Sequence, residues 1–535
     1  MLSLERAERL FLHLTAGNSL MLIHTPEPGL RGEGLNRPMI TVSVMLATII
    51  QAPDGTIANV ALPHIQGSLN ATQDQATWVL TSFIVAVAVA IPVTGWLSDR
   101  FGQKTLLLAS IFGFTIASVL CGLSGSLYEI VIASVLQGLC GAALIPLSQA
   151  ILLEINPREA HGRAMAVWGM GVMLGPILGP ALGGWLTDSY DWRWCFYINA
   201  PVGMAAFLGV WKYIPRTTTL RSIHFDWLGF ATLSLAVGVL QLMLDRGQQN
   251  DWFAARETWV EVFVCVSSLG FFTIHTTTLP PGTTFLDYRL LTDRNFLTGL
   301  LFTFVVGLIL FATRALTPSL LQGLMRYPAQ LAGAVTAPSG IGALLAMLVV
   351  GRLVGRVETR LILGAGFLLT AGSLAWMTRY TLNLSVVDIV WPGVIQGIGL
   401  GLIFVPLSVL SFATLPRHFR EDGAAVYNLV RNMGSAIGIA VVQSLLVCNT
   451  QIAHEGLVQN LNLRAAEAGL YTPENGAAME KFNDEVTRLA ALIGYIDNFQ
   501  LMMVLTLFTL PLLLLVQPRR DVPGQAEEMD LVGLE

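Results

Sequence analysis

Long apolar segments alternate with short polar connections along almost the whole chain. Each apolar segment holds the roughly 20 residues that a helix needs to cross a bilayer core about 30 Å thick. Backbone groups in lipid must be hydrogen-bonded internally, so these segments are predicted as helices. The pattern predicts an all-α membrane protein with about fourteen spans, at residues 40–62, 77–97, 105–123, 128–153, 163–186, 194–213, 226–244, 259–276, 296–318, 330–351, 361–379, 387–411, 423–447 and 496–516.

Composition supports a membrane protein and argues against metal or disulfide chemistry. Hydrophobic residues make up 54% of the chain and charged residues only 12%, whereas soluble domains carry about 25% charged residues. The number of cysteines is odd and their spacing matches no ligand pattern, so neither a disulfide framework nor a metal site is expected. They are interpreted as small apolar residues: Cys121, Cys140, Cys195, Cys265 and Cys448.

Basic residues predict the orientation in the cell inner (plasma) membrane. About 20 Lys and Arg fall on one side of the predicted spans and about 8 on the other, and the richer side is normally cytoplasmic. Both termini are therefore predicted to be cytoplasmic, as an extension over 1–38 and a tail over 518–535. Residues 449–495 form a long periplasmic loop, in which apolar residues at helical spacing predict a short amphipathic helix on the membrane surface.

Two sequence patterns recur after about 256 to 260 residues. GWLSDR, starting at Gly95, matches GRLVGR at Gly351, and LQGLCGAALIPLS, starting at Leu136, matches IQGIGLGLIFVPLS at Ile395. Parallel repeats of this kind build transporters from two six-helix halves. The predicted domains are an N-terminal bundle (39–215), two extra helices (216–285) and a C-terminal bundle (286–517).

The connection after the second span reads GWLSDRFGQK. Its glycines permit a tight turn between two helix ends. Its charged residues form a cluster that pairs in one conformation and separates in another; the alternative is an ordinary turn carrying positive charges. The residues of this loop motif are Gly95, Asp99, Arg100, Gly102 and Lys104.

The fifth span contains GVMLGPILGPALGG. Glycines four residues apart line one helix face and allow a neighbouring helix to approach closely, and prolines within the segment favour a bend. A plain packing face is the alternative interpretation. The residues concerned are Gly171, Gly175, Pro176, Gly179, Pro180, Gly183 and Gly184.

These stretches carry a resemblance to a known family. The loop motif resembles the signature loop of the major facilitator superfamily, and the fifth span is similar to the antiporter motif of its drug–proton exporters. DGTIANVALPHI from Asp54, WRWCFYINAPVG from Trp192 and LDRGQQNDWF from Leu244 resemble the fourteen-span exporters, most closely the EmrB-type subfamily.

The resemblance implies export of hydrophobic or amphipathic small molecules across the bilayer, driven by the proton gradient, without a cofactor and without a nucleic-acid partner. In Gram-negative bacteria it also implies a periplasmic membrane-fusion adaptor and an outer-membrane channel. Export of one specific metabolite or siderophore, and proton-coupled import, stay open as alternatives.

Asp54 is the clearest candidate for the proton carrier, because an ionisable group inside a span is costly and usually functional. It lies about 15 residues beyond Met39, or roughly 22 Å along a helix. Gln51 lies on its helix face and Asn59 nearby, and Pro53 precedes it. A carboxylate with a purely structural partner is the alternative.

The fourth span departs from the family pattern. The family arginine stands three residues before the Gln–Gly pair, which is here Gln137–Gly138, and that position holds Ser134. Gln137 is assigned to the substrate and proton cavity. Burial without a nearby cation favours the protonated form of a carboxyl group, so the usual proton relay does not transfer unchanged to Asp54.

Two arginines within spans complete the candidate set. Arg431 matches an arginine of the subfamily, and it either supplies positive charge across the central cavity or pairs with backbone carbonyls. Arg314 has no family counterpart; it either snorkels to the interface or contacts an anionic substrate.

Other classes of protein find little support. The chain contains no GxxxxGK[ST] phosphate-binding loop, so an ATP-driven pump in one chain is not indicated. Its eight histidines are scattered, which argues against a membrane redox or hydrolytic enzyme. A scaffold or receptor with a transporter fold is compatible with Ser134.

Overall fold

The computed structural model describes residues 36–215, 225–280, 283–284, 286–416, 419–467 and 476–515, and these are almost entirely helical, without a β-strand. Thirteen of the helices there are long and apolar enough to cross a membrane, and a further one, of 29 residues, has a length of about 43 Å. The predicted all-α architecture is confirmed. The helices are α1 (Arg37–Ser68), α2 (Gln75–Phe101), α3 (Gln103–Leu123), α4 (Leu127–Ile155), α5 (His161–Ser189), α6 (Trp194–Tyr213), α7 (Trp227–Arg246), α8 (Arg256–Thr278), α9 (Arg294–Leu324), α10 (Leu331–Leu353), α11 (Thr359–Met377), α12 (Val386–Ala413), α13 (Arg420–Glu467) and α14 (Gly476–Leu512).

The last two helices differ from the prediction. Helix α13 continues to Glu467 and α14 begins at Gly476, so most of the segment 449–495 is not a loop. The expected separate surface helix is wrong, because its residues from 476 onward belong to α14. Hydropathy reports where the apolar residues end, whereas a helix continues as long as residues of adequate helix propensity follow.

Equivalent glycines pack in equivalent ways in the two halves. A Cβ at Gly138 of α4 would lie 2.5 Å from the carbonyl oxygen of Phe83 in α2. A Cβ at Gly397 of α12 would overlap the carbonyl oxygen of Ser339 in α10. The sequence repeat therefore corresponds to a structural repeat, in which the fourth helix of each half presses against the second.

The contacts between the halves follow the same symmetry. Gly95, near the end of α2, packs on Asp422 at the start of α13. Gly351, near the end of α10, packs on Gly162 and Ala166 at the start of α5. Each half thus places the end of its second helix against the start of the fifth helix of the other half. We call the side of the membrane on which α1 begins the N-side, and both contacts lie there.

The halves also touch deeper in the molecule. Trp168 of α5 stacks on Phe404 of α12 with a ring-centroid separation of 5.5 Å. Asn428 of α13 donates a hydrogen bond of 2.9 Å to Gln149 of α4. The halves are therefore in contact from the N-side to near the middle of the membrane.

Helices α7 and α8 flank the bundles. Helix α7 packs on α2 and α8. In the apolar 18-residue stretch of α8, only 6% is buried inside the protein. His275 near the end of α8 contacts Asp226, which precedes α7, at 2.9 Å. The large apolar surface of α8 is the kind that lipid covers.

Candidate functional site

Asp54 lies at a break in α1. The helix is regular over Arg37–Gln51, turns at Ala52 and Pro53, and resumes as Asp54–Ser68. The carboxylate therefore stands in the first turn of a helix segment, where the helix dipole favours negative charge. Its side chain is buried, with Asp54 only 5% exposed.

Two neutral amides hold the carboxylate. Gln137 Nε2 donates to Asp54 Oδ1 at 2.9 Å, and Asn199 Nδ2 donates to the same oxygen at 2.8 Å. Asn199 Nδ2 also lies 2.9 Å from Ser118 Oγ, and Cys121 Sγ donates to Gln137 Oε1 at 3.5 Å. This network joins α1, α3, α4 and α6 around one carboxyl group.

A small cavity adjoins the carboxyl group. Its volume is about 10 Å³, the scale of a single water molecule. Ser134, at the position where the resemblance implies an arginine, forms part of its wall together with Asp54. No ion pair involves Asp54 within the described part of the chain. The lining residues are Asp54, Gly55, Ala58, Val79, Leu80, Phe83, Ser134, Gln137 and Phe196.

The glycine face of α5 packs against α1 around this break. A Cβ at Gly175 would overlap the carbonyl group of Ala52, and a Cβ at Gly179 would overlap Thr56 Oγ1. Thr56 Oγ1 in turn donates to the carbonyl oxygen of Gly175 at 3.2 Å. The predicted close helix approach is therefore present, and its partner is the segment that carries Asp54.

The ends of the glycine motif differ from each other. A Cβ at Gly171 would overlap the Met45 side chain, and one at Gly183 would lie 3.2 Å from the carbonyl oxygen of Ile57. A Cβ at Gly184 would have no described atom within 4 Å, so Gly184 does not belong to the contact between α5 and α1. Helix α5 is continuous through Pro176 and Pro180, whose side chains lie outside the described residues, and the bend there stays a prediction.

The loop motif covers the end of α2, the turn at Gly102 and the start of α3. Gly102 adopts a φ of 84°, a backbone conformation that favours glycine. Lys104 Nζ donates to the carbonyl oxygens of Trp211 and Ile214 at 2.7 and 2.5 Å, which neutralises the end of α6. Arg100 is exposed, and its conformation-dependent pairing with Asp99 stays a prediction.

Gln103 joins the two halves at this loop, and sequence reasoning did not select it. Its Nε2 atom donates to Glu154 Oε2 at 2.8 Å and also contacts Glu421 Oε1. Glu154 lies at the end of α4 and Glu421 at the start of α13, so one amide bridges carboxylates of opposite halves.

The other candidates take no part in the hydrogen-bond network of Asp54 among the described residues. Gln51 is buried one turn before Asp54, and its Oε1 has no partner among the described residues. Asn59 is exposed and lies five residues beyond Asp54, about 140° around the helix, so its assignment to the substrate cavity stays a prediction. Arg314 is half-buried and does not take part in the Asp54 network.

Arg431 is buried in α13, and its Nε and Nη1 atoms have no hydrogen-bond partner in the described chain. These two nitrogens therefore do not pair with backbone carbonyls, which was one of the two expectations. Its guanidinium carbon lies 5.9 Å from the ring centroid of Phe404.

Sequence reasoning missed Asn199 and Ser118. Asn199 belongs to the stretch WRWCFYINAPVG, and an asparagine within an apolar span is itself a signal for a buried polar contact. The sequence does not reveal that the rotation of α6 points this amide at Asp54.

The fold and the site define a membrane protein of two pseudo-symmetric six-helix halves with an intramembrane carboxyl group. The chain belongs to the major facilitator superfamily, whose family model matches residues 44–439.

Several characterised proteins are similar along most of their length. The multidrug export protein EmrB of Haemophilus influenzae is 36% identical over 79% of this chain and 83% of its own. The fatty acid resistance protein FarB of Neisseria gonorrhoeae is 32% identical over 92% and 98%, and EmrB of Escherichia coli K12 is 34% identical over 80% and 84%. The crystal structure of the human organic anion transporter MFSD10 (TETRAN) superposes with a TM-score of 0.58 at 14% identity, covering 89% of this chain and 99% of that chain.

Proposed function

We propose that the protein exports hydrophobic or amphipathic small molecules by alternating access, in exchange for protons that enter through Asp54. The observation that carries the proposal is the buried carboxyl group held by two amides beside a cavity of water size. The names of its relatives, multidrug export and fatty acid resistance proteins, support the choice of cargo.

The surroundings of Asp54 suit a group that binds and releases a proton. A carboxylate in an apolar interior is costly unless it is hydrogen-bonded, and the two amides reduce that cost without fixing the charge as a cation would. Each charge moved across 100 mV supplies about 2.3 kcal/mol, which is enough to bias the equilibrium between two arrangements of the halves.

The glycine contact gives protonation a structural consequence. Because α5 packs directly on the Ala52–Pro53 break, a change at Asp54 acts on the same helix that contacts the C-terminal half through Trp168. In the proposed cycle, protonation of Asp54 changes which arrangement of α1 and α5, and thus of the two halves, is favoured.

The cellular setting belongs to the same proposal. The excess of basic residues on one side supports an inner-membrane protein with cytoplasmic termini. The energy source would be the proton gradient, with no cofactor and no enzymatic step. The likeness to EmrB proteins supports a periplasmic adaptor and an outer-membrane channel as partners.

Export from cells that lack their own pumps tests the proposal. Accumulation of hydrophobic dyes and antibiotics would be compared for wild type, Asp54→Asn and the control Gln396→Ala, at the position of the repeat equivalent to Gln137. We expect wild type and Gln396→Ala to lower accumulation in a way that an uncoupler abolishes, and Asp54→Asn to behave like the empty vector at equal membrane expression. Undiminished export by Asp54→Asn would refute the role of this residue.

A further inference from the structure

The C-terminal half holds a buried basic group that the proton site does not use. Arg431 is 5% exposed, and its Nε and Nη1 atoms are buried and have no acceptor among the residues that the structure describes. None of the ion pairs among the described residues includes it. A buried guanidinium is costly unless an anion neutralises it, and ionisable groups inside membranes mark substrate pathways.

Arg431 lies near the middle of the membrane, next to the contact between the halves. It is eleven residues beyond the start of α13, or about 16 Å into a core of about 30 Å. Its guanidinium faces Phe404, which stacks on Trp168 of the other half at 5.5 Å. When the halves separate, this stack opens and the guanidinium borders the space between them.

A second buried donor belongs to the other half. Asn428, one turn before Arg431, donates to Gln149 Oε1 at 2.9 Å, whereas Gln149 Nε2 is buried and has no acceptor among the described residues. The unpaired acceptor beside them, Asn428 Oδ1, carries no charge and does not neutralise a guanidinium. Both halves therefore contribute a buried donor that has no acceptor in the described part of the chain, one on Arg431 and one on the partner of Asn428, a helical turn away.

We propose that Arg431 binds the single anionic group, in particular a carboxylate, of an exported molecule whose apolar part lies against Phe404. A guanidinium binds a carboxylate through two parallel hydrogen bonds, and an aromatic face beside it accommodates the apolar part. This inference rests on the proposed export function and adds to it a class of cargo and the residue that selects it.

Binding to purified protein in nanodiscs of zwitterionic lipid tests the inference. The probes are radiolabelled naphthaleneacetate and its uncharged match, naphthaleneacetamide. Loss of a charge-assisted contact is expected to weaken naphthaleneacetate binding by about tenfold to a hundredfold in Arg431→Gln, to leave naphthaleneacetamide binding unchanged, and to have an intermediate effect in Arg431→Lys. Equal binding of naphthaleneacetate by wild type and Arg431→Gln overturns the inference, as does an equal loss of both probes.

Thermal unfolding separates binding from a structural role. Removing a buried charge that lacks a partner is expected to leave the Tm unchanged or raise it. A clear fall in Tm for Arg431→Gln would mean that the charge has a structural partner, and it would overturn the inference.

Two further comparisons complete the design. The negative surface of discs containing phosphatidylglycerol repels only the anionic probe, so a loss of naphthaleneacetamide binding as well as naphthaleneacetate binding in such discs would show that a lipid head group occupies the site, which also overturns the inference. Transport by Asp54→Asn tests the export proposal and binding by Arg431→Gln tests this inference, so a failure of the export proposal shows itself in transport, whereas a failure of this inference shows itself in binding.

Discussion

Asp54 in the N-terminal half and Arg431 in the C-terminal half are both buried ionisable side chains, and their surroundings differ. Asp54 accepts two amide hydrogen bonds and lies beside a cavity of water size. Arg431 has two nitrogens without a partner in the described chain and lies against an aromatic ring at the contact between the halves. A hydrogen-bonded carboxyl group beside a cavity of water size suits reversible protonation. A guanidinium with unpaired nitrogens at the contact between the halves suits the binding of a ligand.

The internal repeat sharpens this contrast. Gln137 and Gln396 occupy equivalent positions of the repeat, yet Gln137 donates to Asp54, whereas Gln396 Nε2 is buried and has no partner among the described residues. The same helix packing therefore places a glutamine that holds a carboxyl group in one half and a glutamine with an unpaired amide nitrogen in the described part of the other. We interpret this difference as a sign that the N-terminal half binds the proton and the C-terminal half binds the cargo.

The largest expected effect separates the two groups by function. Asp54→Asn is expected to abolish proton-driven export of charged and uncharged cargo alike, because it removes the titrating group. Arg431→Gln is expected to abolish export of anionic cargo only. Parallel efflux assays with both cargo types in one vesicle preparation measure which substrates each variant loses. Loss of the same set of substrates in both variants would contradict the separate roles of Asp54 and Arg431.

A smaller effect concerns the packing that holds Asp54. Gly175→Ala is expected to destabilise the protein by about 1–3 kcal/mol, because its Cβ would overlap the Ala52 carbonyl. Gly184→Ala is the matched control in the same helix, with open space around the new methyl group; alanine there is expected to be neutral or stabilising by up to about 1 kcal/mol. Thermal unfolding in detergent measures both, and equal Tm values would show that the glycine face does not hold the break.

The smallest effect concerns the two equivalent glutamines of the repeat, one of which serves as the control for the other. Gln137→Ala removes one of two donors to Asp54, and losing a hydrogen bond to a charged group costs about 1.5–3 kcal/mol, so a reduction in export rate of about tenfold or more is expected. Gln396→Ala removes an unpaired amide and is expected to export like wild type. A comparable loss in both variants would indicate general packing damage.

The sequence predicted most of the helices and part of the site. Spans follow from the bilayer thickness, and the turn at Gly102 follows from backbone sterics. The Asp54–Gln137 contact joins two residues that the sequence had already assigned to one cavity. Asn199 was missed because helix rotation is a tertiary property.

The most direct measurement follows the carboxyl group of Asp54 itself. Infrared difference spectra of the purified protein, recorded across the pH range in which it stays folded, detect a protonated carboxyl in an apolar site. A carboxyl band that titrates in wild type and is lost in Asp54→Asn is the predicted result. The same titrating band in both proteins would contradict the assignment of Asp54 as the proton carrier.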